Sequence, residues 1–186
     1  QIKMTSKVDY RSKENVNHNF FFINKDNSNS SQNSLRKQLA ITSIPRDLIL
    51  KRKGYNFTLN NFYGNLIDIE FENFMKKNLI FQDFLMIAKK VKFLIIRNIP
   101  QLDDNVKNYI HRFISLIDAF YENKNILSIS TRVELDSIYT GKLNAVELKR
   151  TISRLKEMGS NTYITKNLKN FVKKWKYLPN LLEKLK

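Results

Sequence analysis

Between Phe93 and Ser130 the chain sets out a buried strand, an amphipathic helix with its start signal, and a second buried strand. Phe93-Leu94-Ile95-Ile96 is a continuous apolar run that ends by Pro100, the pattern of a strand covered on both faces. Asp103 and Asp104 follow where a helix start is favoured. Short acidic side chains accept from the free N–H groups there and meet the positive end of the peptide dipoles. The helix should run to about Glu122, with Val106, Ile110, Phe113, Ile114, Ile117 and Phe120 or Tyr121 along one stripe. Ile126-Leu127-Ser128-Ile129-Ser130 reads as the next strand. Strands joined through a helix of this length form a right-handed crossover and lie parallel. The expected fold class is α/β, built on a parallel sheet.

Other elements can be placed around that unit. Phe20-Phe21-Phe22-Ile23 is an apolar run of strand length. Residues 24–34 are polar, with no apolar anchor, and read as a surface loop or the lead-in to a helix near Leu35–Ile41. Leu48–Leu50 and Tyr55–Leu59 flank Gly54 as two short strands around a turn. Asn65–Phe71 could be a third, after Gly64. Phe81–Lys90 repeats apolar residues at helical spacing. Gly141 separates a short helical piece near Glu134–Tyr139 from a helix over Asn144–Met158. The tail from Lys166 to Lys186 places Leu168, Phe171, Val172 and Trp175 on one side and lysines on the other, with Leu178, Leu181 and Leu182 beyond Pro179. The expected organisation is a core-strand end with a β-rich insert (1–70), an α/β part (71–164) and a basic amphipathic helical tail (165–186).

A chain of 186 residues, 42% hydrophobic, can bury a sizeable core. The lack of cysteine excludes a disulfide scaffold, thiol catalysis and cysteine-based metal sites. No apolar run approaches the roughly 20 residues of a membrane span, and no charged-then-apolar leader opens the sequence. A start at Gln1 is what a fragment or processed product would show. The net charge of +16 is uneven: +7 over residues 1–60, zero over 61–122 and +9 over 123–186. It allows attraction to nucleic acid. The abundance of Lys, Asn and Ile, which A/T-rich codons favour, accounts for much of it without any such partner.

Several motifs occur in a specific order. Val8-Asp9-Tyr10-Arg11 comes first, then Phe71-Glu72-Asn73-Phe74, Asp83-Phe84 and Asn98-Ile99-Pro100. Arg112-Phe113-Ile114-Ser115-Leu116-Ile117-Asp118 with Tyr121 follows, then Ile138-Tyr139. Last is Arg150-Thr151 with Ser153-Arg154-Leu155 and Glu157-Met158, closed by Tyr163-Ile164. Over residues 8–164 this order resembles the C-terminal half of the ZapE-type P-loop ATPases, the family that also holds the mitochondrial Afg-one-like proteins. The chain departs from the family pattern at His111-Arg112, where paired arginines are usual, at Met75, where a cysteine is expected, and at Gly54-Tyr55, where Gly-Arg is usual. The resemblance implies an AAA+-like ATPase that couples ATP hydrolysis to remodelling a protein partner. It also implies a cytoplasmic bacterial setting tied to cell division, or a mitochondrial one tied to protein quality control. ATP and Mg2+ are expected for the full-length protein.

Hydrolysis of ATP by such enzymes rests on a glycine loop with lysine, an acidic pair for Mg2+ and water, and arginines that offset charge on the γ-phosphoryl group. The 186 residues contain no phosphate-binding glycine loop, and Arg97-Asn98 follows the Phe93–Ile96 strand where acids would be required. This portion alone is therefore expected to be inactive and to bind neither ATP nor Mg2+; an upstream ATPase half would carry the loop. Its contribution would be arginines, whose planar forks suit phosphate oxygens. Arg150 and Arg154, four residues apart on one helix, share a face and are the first candidates for a nucleotide-sensing or trans-acting arginine. A structural alternative pairs Arg154 with Glu157. Arg112 is a further candidate, its alternative a salt bridge to Asp118 or Glu122. Arg11 is the fourth, after an expected strand end. His18 and His111 are too far apart to indicate a metal site. Most aromatics fall at core positions rather than on a base-stacking surface. The rival reading is a free-standing basic module that contacts nucleic acid or a protein, and a homo-oligomer is compatible with either.

Overall fold

A computed structural model describes residues 20–23 and 28–174. Six strands form one sheet: β1 (Phe21–Ile23), β2 (Arg46–Arg52), β3 (Tyr55–Phe62), β4 (Leu66–Glu70), β5 (Phe93–Ile99) and β6 (Ile126–Thr131), in the order β1-β6-β5-β4-β3-β2. The helices are α1 (Ser28–Leu39), α2 (Phe71–Met75), α3 (Phe81–Lys90), α4 (Lys107–Glu122), α5 (Ala145–Met158) and α6 (Asn161–Lys174). Neighbours among β1, β6, β5 and β4 pair in parallel, while β3 and β2 extend the sheet as an antiparallel hairpin. The fold is the expected α/β class.

Burial follows topology. β6 is buried along its whole length, and β4 and β5 nearly so, because each pairs on both edges and is covered on both faces. One face presents Asp68, Phe93, Ile95, Arg97 and Ser128. It is covered by α1, whose Gln32 reaches Ser128, and by α6, whose Phe171 ring packs edge-on to Phe93 at 5.6 Å. The opposite face, with Ile67, Leu94, Ile96, Leu127 and Ile129, is equally buried, beneath the layer in which α4 lies between α3 and α5.

The expected β5–α4–β6 unit is present. Asp103 accepts from the Asn105 N–H at 2.9 Å, and a 3-10 turn over Asp104–Val106 leads into α4. The α4 stripe buries Ile110, Phe113, Ile114, Ile117 and Phe120 as read from the sequence, together with Leu116 and Ala119. The two strands around Gly54 form the β2–β3 hairpin, and Gly54 takes φ +76°, a conformation that suits glycine. Arg52 at its tip lies 3.0 Å from the buried Asp83, whose other oxygen accepts from the Ile80 N–H at the start of α3. The hairpin is thus tied to the core.

Two expectations change. The polar stretch 24–34 is not all loop: α1 begins at Ser28 and ends at Leu39. Its buried residues are Gln32, Leu35 and Leu39, so glutamine occupies one position of the helical stripe where an apolar residue would have signalled it. The Gln32 amide is satisfied by the Ile96 carbonyl and the Ser128 hydroxyl, both at 3.3 Å. The tail helix starts at Asn161, not Lys166, because Ser160 accepts from the Tyr163 N–H at 3.2 Å and caps it. Its Ile164, Leu168 and Phe171 are buried against the rest of the chain. Arg11, His18 and the tail from Trp175 onward lie outside the described residues.

Candidate functional site

Helices α4 and α5 pack side by side, and their seam gathers the two leading arginines. Arg150 and Arg154 project from one face of α5 onto a single carboxylate, Asp118 of α4. Arg154 Nη1 donates to Asp118 Oδ1, and Arg150 Nη2 donates to Oδ2 at 3.4 Å. Arg154 also lies over the Tyr121 ring, its guanidinium carbon 5.1 Å from the centroid. Asp118 and Tyr121 are three residues apart on α4, so one helix face meets one helix face. The two arginines are not held alike. Arg154 is 26% exposed and gripped by a carboxylate and a ring, whereas Arg150 is 55% exposed and held by one long bond.

Glu157, the alternative partner of Arg154, instead accepts from the Tyr121 hydroxyl at 2.8 Å. That bond, followed by burial, raises the Tyr121 pKa, so the phenol stays neutral. Tyr121 stacks on Tyr163 of α6 at 6.2 Å, and the Tyr163 hydroxyl donates to the Asn125 carbonyl at 3.2 Å. Burial pushes the Tyr163 phenol upward as well. The seam is a row of neutral phenols and charged pairs that fixes α4, α5 and α6 relative to one another.

Arg112 is elsewhere. Its guanidinium donates to the Met75 carbonyl at 2.6 Å and the Asn78 side chain at 2.8 Å, closing the end of α2. Neither Asp118 nor Glu122 is its partner. Six residues along a helix turn through about 600° and rise about 9 Å, which carries Asp118 off the Arg112 face. The structure therefore brings together Arg150 and Arg154 and sets Arg112 to a different task.

A second charged group escaped the sequence reading. From the carboxyl-terminal half of β5, Arg97 donates to both oxygens of Asp68 in the middle of β4, at 2.6 and 2.7 Å. Its remaining donors face Asn29 and Asn33 of α1. Arg36 comes within 3.6 Å of Asp68 and donates to the Tyr63 hydroxyl at 2.7 Å. Burial works against the charge of Arg97, but hydrogen bonding and Coulombic attraction to Asp68 outweigh it and raise its pKa. The available signal was an aspartate inside the apolar run Leu66-Ile67-Asp68-Ile69, which a buried strand tolerates only with a partner. This site does not fit Mg2+: the carboxylate is engaged by two guanidinium groups. Among the described residues no group of three His, Cys, Asp or Glu side chains could hold a metal ion.

A mostly parallel six-stranded sheet flanked by helices, with arginines presented from a helix beside it, has the architecture of a P-loop-type α/β core. The sequence profile of the AFG1-like ATPases matches residues 1–167, and the chain belongs to that family. It is 25% identical over 174 residues to the lactation elevated protein 1 homolog B of Danio rerio, covering 91% of this chain and 35% of that protein. It is 32% identical over 82 residues to the cell division protein ZapE of Escherichia coli K12, covering 44% of this chain and 22% of ZapE. The chain thus spans about a third or less of the curated relatives it matches. No solved structure gives a significant match. Among the described residues no helix is long and apolar enough to cross a membrane.

Proposed function

We propose that this chain is the C-terminal portion of an ATP-hydrolysing protein that remodels a protein partner, and that it supplies the arginines rather than the phosphate grip. The observation that carries the reading is the placement of Arg150 and Arg154 on one helix face, with Arg150 more than half exposed and weakly held. An exposed guanidinium beside a rigid seam can exchange a carboxylate for phosphate oxygens without rebuilding the fold. Asp118 and Tyr121 keep Arg154 in place beside it. Under this proposal ATP, Mg2+ and the glycine loop belong to an upstream half. The setting is the bacterial cytoplasm and cell division, which the ZapE relative's name supports. A mitochondrial role is the alternative.

The test is ATP turnover by the chain alone and joined to an upstream half bearing the glycine loop. The chain alone should be silent and the joined protein active. Arg150→Ala should lower kcat by about 10²-fold or more while leaving the circular dichroism spectrum unchanged. Full turnover with both Arg150 and Arg154 replaced would remove the arginine assignment. Hydrolysis by the chain alone would overturn the division of labour.

A further inference from the structure

At the end of the sheet opposite Asp68 and Arg97, the α3–β5 and α4–β6 turns lie side by side. Lys92 occupies the first and Lys124 the second. The Lys92 backbone is fixed from both directions: its N–H donates to the Asn65 carbonyl at 2.8 Å, and its carbonyl accepts from the Ile126 N–H at 3.0 Å. The Asn125 side chain locks the turns together by donating to the Ala88 and Val91 carbonyls at 3.0 and 2.7 Å. Lys124, at φ +57°, turns its carbonyl to accept from Lys92 Nζ on a solvent-facing edge. Neither lysine takes part in an ion pair found among the described residues. The charged group that faces Lys92 is Lys124; in sequence Lys89 and Lys90 precede it at the end of α3, Glu122 ends α4 just before Lys124, and Tyr163 of α6 reaches the Asn125 carbonyl.

We infer that Lys92 is an acylation site, an amine held in a fixed position beside Lys124 and open to small acyl phosphates. The cation of Lys124, whose carbonyl holds Lys92 Nζ, attracts the donor's phosphate. The unprotonated Nζ attacks the acyl carbon and an N–C bond forms. The bond between the acyl carbon and the bridging oxygen breaks, inorganic phosphate leaves with that oxygen and the electron pair, and the nitrogen's proton passes to solvent. Burial, then the charge of Lys124, pushes Lys92 down to about 8. About a tenth of it is therefore free amine at pH 7, about 200-fold more than for an ordinary lysine. The lower nucleophilicity of a weaker base returns part of that advantage.

The experiment treats the chain with acetyl phosphate at several pH values and reads each lysine by peptide mass spectrometry. Lys92 should acetylate on the order of tenfold faster than Lys89 or Lys90, with a rate that levels off above its midpoint near pH 8. Lys124→Asn, which keeps a side chain tolerant of positive φ, should move that midpoint upward. Selectivity should vanish in denaturing urea. Equal rates at Lys92, Lys89 and Lys90 in the folded chain would overturn the inference. So would a Lys92 rate still climbing at pH 10, or preference for Lys92 with an uncharged acetyl ester but not with acetyl phosphate.

Discussion

Arg97 of β5 holds Asp68 of β4 through two hydrogen bonds, Nε to Oδ1 and Nη2 to Oδ2, with both side chains buried. A buried pair loses most when one member is removed, because the other is left charged and unpaired. Asp68→Ala should cost about 3–5 kcal/mol by urea denaturation. Replacing both residues, Asp68→Leu with Arg97→Met, should recover most of that loss. A single-variant loss below about 1 kcal/mol would mean the pair is solvated in solution.

That pair also marks where the sequence was legible and where it was not. The strands β5 and β6 and the helix α4 were readable because their apolar residues follow the period of the element they form. Helix α1 was half hidden because a polar residue, Gln32, fills a core position through hydrogen bonds to Ile96 and Ser128, contacts that depend on strands 64 and 96 residues away. The arginine pair could be placed on a common face from spacing alone. Its partner could not: Asp118 is 32 residues from Arg150, and only the packing of α4 against α5 selects it over Glu157. Arg112 shows the same limit, since its acceptor is a backbone carbonyl that no residue type announces.

Arg150 and Arg154 share a carboxylate but should differ in what they contribute to stability. Exposed ion pairs are worth about 0–1 kcal/mol, and a guanidinium over an aromatic face adds about 0.5–1 kcal/mol. Arg150→Ala should therefore shift stability by less than about 0.5 kcal/mol, and Arg154→Ala by about 1–2 kcal/mol. Raising salt should narrow the difference only in part, because stacking on Tyr121 is less screened than the ion pair. Equal losses, measured by thermal unfolding, would contradict the asymmetry of the seam.

Gly159 closes α5 where β1 passes beneath it. A methyl group there would lie 2.8 to 3.0 Å from the Phe21 ring, too close without movement. Backbone entropy alone would favour alanine by about 0.4–1 kcal/mol, since Gly159 has an ordinary helical φ of −84°. Overpacking a core costs about 1–3 kcal/mol and should win. Gly159→Ala is expected to be destabilising by about 1 kcal/mol. Adding Phe21→Leu should relieve the clash, so that the double variant loses less than the sum of the two single changes. Additive losses would show that the ring is not what excludes the methyl group.

Lys92 has a consequence for pH dependence that is independent of its chemistry. Its folded pKa, pushed down to about 8 from 10.5, means that the unfolded chain binds more protons between those values. Stability then rises with pH across that window, and the unfavourable contribution is fully present below about pH 8, where both states are protonated. Lys92→Met removes the charge while keeping much of the stem. It should raise the melting temperature at pH 7 and flatten the rise between pH 8 and 10.5. The wild-type and variant curves should converge toward the alkaline end, where the amine of the folded chain is already neutral. Parallel curves across the window would show that Lys92 titrates as an ordinary surface lysine. A variant less stable at pH 7 would mean that the hydrogen bond to the Lys124 carbonyl outweighs the cost of burying the charge.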